Sequence, residues 1–280
     1  MSVRPEEIHS HGGFRLERLP NGWLVGRFAV LDAMGLPHLV TTRQGPDVQE
    51  LRRDPGVAGP EIARCLGLED AAFLEQVHGG DVLACKQGGC VGHADGLVTA
   101  KKGLAVLGKS GDCPIVLIAD RRGRAVGFAH ASWKATVAGI VPATVRNMVD
   151  LGCRPVDLVA CICPSAGPCC YEVGEEVRQA ALDGIGSHAE AFFRSRDARA
   201  FGRRHFDLWQ ANADALIRAG LTRESVHISG VCTLCRNDLF PSHRKEGGAA
   251  GRFAGVIGLP TPAVLAEDEI PDVEQRSGHL

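Results

Sequence analysis

Two imidazoles and a thiol, those of His78, Cys113 and His130, are the side chains of this sequence whose types combine into a defined chemistry. Nitrogen and sulfur ligands of borderline softness suit zinc, and three protein ligands leave the fourth tetrahedral position open. An open position points to catalysis rather than to a purely structural metal. His78 stands in Gln76-Val77-His78-Gly79-Gly80, where the glycines free the backbone to turn just after the imidazole. Cys113 follows Gly111-Asp112 and precedes Pro114, between a turn and an apolar run. His130 closes the apolar run from Ala125 and is followed by Ala131-Ser132-Trp133, a strand-to-helix corner. Singly, each has a plainer reading as a loop histidine, a packed cysteine and a corner histidine. Their separations of 35 and 17 residues are much wider than those of a zinc finger, so spacing leaves their convergence open.

Other groups compete for a metal or an anion. Cys232-Thr233-Leu234-Cys235 has the gap of a zinc knuckle or a redox pair, although no second such motif or matching histidine pair stands nearby in sequence and a tight turn accounts for it equally. Cys161, Cys163, Cys169 and Cys170 flank Pro164-Ser165-Ala166-Gly167-Pro168, a small-residue loop around Ser165 able to bring backbone amides to an anion, or simply a buried strand and its turn. Arg244 and Arg252, among Gly247, Gly248 and Gly251, read as a phosphate clamp or as an exposed basic loop. His93 and Asp95 lie beside Gly92 and Gly96, which a turn explains.

The elements that must carry these groups alternate in type. Leu104–Leu107, Ile115–Ala119, Ala125–Phe128, Leu158–Cys163 and Val226–Gly230 are short apolar runs of strand length, and Asp120-Arg121-Arg122-Gly123 is a turn between two of them. From Thr136 to Leu151 apolar residues recur every three or four positions, which predicts one amphipathic helix ending at Gly152, with Pro142 costing it a bond or a kink if it sits past the first turn. A second helix is expected after Asp207 as N-cap, with Leu208, Ala211, Ala215 and Ala219 on one face and Gly220 as its stop. Arg43 to Gly59 reads as a long loop before a short helix through Ala63 and Leu66. The mixture predicts an α/β or α+β layered fold, and no linker or repeat divides the chain, so one domain over 1–280 is expected.

Composition narrows the function classes. Of 280 residues 45% are hydrophobic, enough for a large core, and 31 Lys+Arg against 33 Asp+Glu give a net charge of -2. No basic excess is present to neutralise a nucleic-acid backbone, and one Tyr and three Trp make a poor base-stacking platform. No run of eighteen apolar residues occurs and Met1–Phe14 has no apolar h-region, so neither a membrane span nor a secretory signal is expected. Eleven cysteines without an export signal point to a reduced, cytoplasmic protein rather than a disulfide framework.

Eight segments, in order, resemble the laccase-domain family, also called multicopper polyphenol oxidase-like or peptidoglycan-editing-factor-like proteins, some of which are described as purine nucleoside phosphorylases. They are Gln76-Val77-His78-Gly79, Ala94 to Thr99, Gly111-Asp112-Cys113-Pro114, His130-Ala131-Ser132-Trp133, Gly167 to Gly174, Asp207-Leu208, Cys232 to Cys235 and Gly251-Arg252, spanning 76–259. The resemblance implies that His78, Cys113 and His130 are the metal ligands and catalytic residues. It also implies an α/β/β/α architecture similar to the cysteine hydrolase fold of the cytotoxic necrotizing factors. The activity it implies is zinc-dependent cleavage of adenosine, inosine, guanosine or methylthioadenosine with phosphate, with adenosine deamination in some members. Asp112, Ser165 and Arg244 are then the expected substrate-binding residues, and the partners are a nucleoside and phosphate taken up by a monomer, with no nucleic acid or membrane. Alternatives are copper-dependent phenol oxidation, a cysteine hydrolase acting on cell-wall precursors through Cys113 and His130, and a zinc-binding protein without turnover. The family's His-Ala-Gly-Trp-Arg-Gly is here His130-Ala131-Ser132-Trp133-Lys134-Ala135, so phosphate capture is expected to suffer at Lys134. Its Phe-Phe-Ser-Tyr-Arg-Arg is here Phe240 to Lys245, and its Ser-Leu-Asn-Leu segment has no clear equivalent between Thr41 and Gly59.

Overall fold

The continuous apolar runs become strands covered on both faces. A computed structural model describes residues 13–46, 48, 55–194 and 204–261. One sheet has seven strands in the order β1 (Phe14–Arg18), β2 (Leu24–Phe28), β3 (His38–Thr41), β16 (Phe253–Gly258), β8 (Leu104–Ser110), β4 (Asp70–Glu75) and β6 (Gly89–His93). A second has six, in the order β15 (Val226–Ile228), β11 (Leu158–Ile162), β9 (Ile115–Asp120), β10 (Val126–His130), β7 (Gly96–Thr99) and β5 (Val82–Ala84). A small third sheet joins β12 (Glu172–Val173), β14 (Arg204–Phe206) and β13 (Phe193–Arg194). Both large sheets are mixed: β4 runs parallel to β6 and β8, and β11 to β15, whereas β9, β10 and β11 pair antiparallel.

The two-residue period of the strands sorts their side chains into layers. Leu104 and Val106 of β8 and Ile115, Leu117 and Ala119 of β9 face a core shared by the two large sheets, together with Phe14, Phe28, Phe128 and Phe253. Their neighbours Ala105 and Leu107 face the other way, onto Ile62 and Ala63 of α2 (Pro55–Cys65). Val116 and Ile118 face outward on the second sheet, onto Ala135 of α3 (Trp133–Val137), Ile140, Val145 and Met148 of α4 (Ile140–Asp150) and Leu216 of α6 (Leu208–Arg218). The order of layers is therefore helix, sheet, sheet, helix. Close approach of the sheets is visible at Gly108, where a Cβ would lie 2.7 Å from the Phe128 ring. The described elements also include the α-helices α1 (Ala29–Ala33), α5 (Glu175–Gly184) and α7 (His243–Glu246).

Local structure follows the sequence reading with two corrections. The helix expected over Thr136–Leu151 is two helices, because Gly139 adopts φ 80, a left-handed conformation that ends α3 and starts α4. Pro142 then falls in the first turn of α4, where the amide it lacks would have had no partner, and it disturbs nothing. The helix expected after the loop begins earlier, at Pro55, inside the stretch read as loop; the rest of that reading, residues 47 and 49–54, lies outside the described residues. Asp207 caps α6 as expected, accepting from the Gln210 amide at 3.1 Å.

Candidate metal and catalytic centre

His78, Cys113 and His130, far apart in sequence, converge at one edge of the sheet sandwich. His78 sits just past β4 at φ 62, a rare conformation for a residue with a side chain. Two sets of contacts hold it there. Gln76 exchanges a pair of hydrogen bonds with the Lys109 backbone at the end of β8, both 2.8 Å. Asp95, fully buried before β7, accepts from the Val77 and Gly79 amides at 3.1 and 2.6 Å through Oδ2. Its other oxygen meets His130 Nδ1 at 2.7 Å, and the His130 amide donates to the Asp95 carbonyl at 2.7 Å. Cys113 lies in the connection from β8 to β9, with its carbonyl accepting from Ser110 Oγ at 2.6 Å. Its predecessor Asp112 takes φ 107, fixed by Thr233 Oγ1 at 2.5 Å and the Arg244 amide at 2.7 Å.

Electrostatics polarise this group. Burial raises the Asp95 carboxyl, but hydrogen bonds from His130 and the Gly79 amide outweigh it and hold the group below its usual range. An ionised carboxylate only accepts, so His130 carries its proton on Nδ1 and turns Nε2 toward Cys113 and His78. Burial would depress His130, yet Cys113 and Asp95 push it up to about 9. Burial likewise raises the Cys113 thiol, but His130 and His78 bring it down to about 7 from the ordinary 9.0. In metal-free protein Cys113 is thus expected to alkylate with a rate that rises with pH and reaches half its plateau near pH 7, since the thiolate is the nucleophile. Iodoacetamide labelling followed by peptide mass spectrometry checks this, and a half-plateau near the ordinary 9.0 would contradict it.

The donor set fits a zinc ion. The ligand atoms of His78, Cys113 and His130 all lie within 4.8 Å of one another, against the spacing of about 3–4 Å that a tetrahedral ion with Zn–N near 2.0 Å and Zn–S near 2.3 Å imposes. The Asp95–His130 contact is of the kind that would fix a metal-binding imidazole in its ligating tautomer. His78 is exposed and His130 buried, so the three form the wall of an opening rather than a closed cage.

That opening is a cavity of about 490 Å³, within the size range of small-molecule sites, bordered also by Gln76, Lys109, Ser110, His243 and Arg252. The three residues expected to bind substrate each make other contacts. Both carboxylate oxygens of Asp112 are taken by Thr233 and Arg244. Ser165 is fully buried, and its Oγ accepts from Trp209 Nε1 at 2.6 Å. Arg244 bonds the Glu172 carbonyl at 2.8 Å and covers the Tyr171 ring in an adjoining recess. None of the three is among the residues lining the cavity beside the His, Cys, His group. Lys134 is exposed over the Trp133 ring and does not line it either, while Ser132, its departure from the family's glycine, caps α3 through the Ala135 amide. Asp95 read as a turn residue and as part of the Ala94 to Thr99 segment, with no role of its own. His243 stood only within the Phe240 to Lys245 stretch compared with the family, and Lys109 carried no signal.

Comparison with known proteins shows the family of the chain. Residues 59–260 match the family model described as multi-copper polyphenol oxidoreductase laccase. The chain is 35% identical over 242 residues to a purine nucleoside phosphorylase of Deinococcus radiodurans, covering 81% of this chain and 90% of that protein. It is 32% identical over 207 residues to the purine nucleoside phosphorylase YlmD of Geobacillus stearothermophilus, covering 68% and 73%. The crystal structure of YlmD from that organism superposes with a TM-score of 0.77 at 26% identity, over 88% of this chain and 99% of that one. The hypothetical protein YfiH of Bacillus licheniformis gives 0.73 at 25%, over 84% and 96%.

Proposed function

Because the chain belongs to the multi-copper polyphenol oxidoreductase laccase family and its relatives are named purine nucleoside phosphorylases, we propose that it is a zinc-dependent purine nucleoside phosphorylase acting on adenosine, inosine, guanosine or methylthioadenosine. The observation that carries the reading is the His78, Cys113 and His130 group opening on a cavity that also holds Lys109 and Arg252. His78, Cys113 and His130 would hold the metal, which when bound supplies Lewis-acid stabilisation of developing negative charge. Lys109 and Arg252 supply the cationic side for phosphate, Arg252 with the forked guanidinium that suits it. Held against the sugar, a phosphate oxygen forms the bond to the anomeric carbon while the C–N bond breaks and its electron pair leaves with the purine. His243, outside the ligand set, is available in the same cavity to hydrogen-bond the departing base. Asp95 keeps His130 in place throughout. The proton that the attacking phosphate gives up balances the one the departing purine gains; the products are free base and ribose 1-phosphate, or 5-methylthioribose 1-phosphate from methylthioadenosine, and any adenosine deamination would use the same cavity.

Purified protein given inosine or adenosine should release base only with phosphate present, with ribose 1-phosphate as co-product. Equal release without phosphate would mean hydrolysis and end the assignment. Arg252→Ala should raise the KM for phosphate roughly 10-fold or more, the worth of a charged hydrogen-bond pair, with a smaller change in the KM for nucleoside. A cysteine hydrolase reading draws on Cys113 beside His130, which lowers the thiol. It predicts turnover that survives chelation, which the phosphorylase reading does not. Oxidation of phenols by several coppers requires more than one histidine-bearing ligand group, and among the described residues only one of the two metal-capable clusters contains histidine.

A further inference from the structure

The second cluster is separate from this centre and made only of sulfur. Cys169 and Cys170, which follow the small-residue loop, meet Cys232 and Cys235, with all four Sγ atoms within 4.8 Å of one another. Cys235 Sγ lies 3.6 Å from Cys169 Sγ and 3.4 Å from Cys170 Sγ. A disulfide needs about 2.05 Å, whereas sulfurs bound at about 2.3 Å to one tetrahedral ion lie about 3.8 Å apart. We propose that Cys169, Cys170, Cys232 and Cys235 form a second metal site, a tetrathiolate that takes one zinc ion structurally.

Backbone geometry supports the assignment. Gly167 donates its amide to Cys232 Sγ at 3.3 Å, and the Leu234 and Cys235 amides point to the same sulfur, the turn by which a Cys-x-x-Cys loop stabilises a thiolate. Gly167 is required for that approach, since a Cβ there would lie 2.8 Å from the Trp209 ring and 3.1 Å from Cys232 Cβ. Lys245 Nζ donates to the Leu234 carbonyl at 3.3 Å and so braces the turn between Cys232 and Cys235.

The position gives the site a purpose. The two segments it joins are already zipped by Thr233 N to Ser165 O at 3.0 Å and Ser165 N to Val231 O at 3.1 Å. Thr233, between the two cysteines, fixes Asp112 and hence the backbone that presents Cys113, while Tyr171 and Glu172, directly after Cys170, hold Arg244. A zinc here staples the loop under the catalytic thiol.

The test separates the two sites by metal content. Protein produced with zinc and purified under reductant should carry two zinc per chain, Cys113→Ala should carry one, and Cys113→Ala with Cys232→Ser and Cys235→Ser should carry none. Cobalt(II) loaded into the Cys113→Ala variant, whose four-cysteine group is intact, should give the intense thiolate-to-metal charge-transfer bands of an all-sulfur tetrahedral site. A Cys113→Ala protein that retains no zinc and shows no such bands overturns the proposal. So does a native mass lower by the two hydrogens of a disulfide that reductant restores. None of these readings depends on nucleoside turnover.

Discussion

Cys113→Ala should lower kcat/KM for phosphorolysis roughly 1000-fold, with most of the loss in kcat, because a Lewis acid worth several kcal/mol in the transition state is lost. The thiolate is the anionic member of the group, beside His78 and His130. Its loss leaves two imidazoles, a set of much lower zinc affinity. It also removes the charge that supports His130, so the imidazole falls back from about 9. The alanine occupies less volume than the thiol, and Ser110 still holds the backbone carbonyl, so the fold should tolerate it. Steady-state rates at saturating phosphate, with melting temperature measured in parallel, check the expectation; a variant within about 10-fold of the parent would show that Cys113 neither binds the metal nor reacts.

How much of this was legible depended on whether the relevant contacts were local. Strands β8, β9 and β11 were readable because burial on both faces makes their sequences continuously apolar. The division of α3 from α4 was not, since the apolar period runs through Gly139 unbroken and only its left-handed φ ends the helix. For the site, residue types pointed to His78, Cys113 and His130, but their convergence depends on strand order: β4 and β8 are adjacent in one sheet, and β9 and β10 in the other. The four-cysteine cluster was half visible as Cys232 and Cys235, whose partners lie more than 60 residues earlier. Cysteine pairs close by packing between loops leave no periodic mark. The substrate residues expected from sequence, Asp112, Ser165 and Arg244, drew attention because polar residues stood among glycines and prolines; in the fold their polar atoms brace loops.

Asp95→Asn should reduce metal affinity and turnover roughly 10- to 100-fold, the range for losing the outer-shell partner of a metal-binding histidine. The carboxylate accepts three hydrogen bonds, from His130 Nδ1 and from the Val77 and Gly79 amides. An asparagine of the same shape has one oxygen and an NH2 group, so it cannot satisfy all three. If its oxygen keeps the two amides, its NH2 faces His130 and selects the tautomer protonated on Nε2, whose lone pair then points at the substituted side chain and not at the ligand site. If the oxygen keeps His130, an NH2 confronts the amides that hold His78 at φ 62, and that ligand is released. Either outcome weakens the same centre. The pH behaviour distinguishes this from general loosening: without the Asp95 charge His130 falls from about 9, the cation that stabilises the Cys113 thiolate weakens, and the thiol rises from about 7 toward its ordinary 9.0. Alkylation of metal-free Asp95→Asn protein should therefore reach half its plateau at higher pH than in the parent. An unchanged midpoint, with turnover unchanged, would remove Asp95 from the mechanism and leave it as a loop brace.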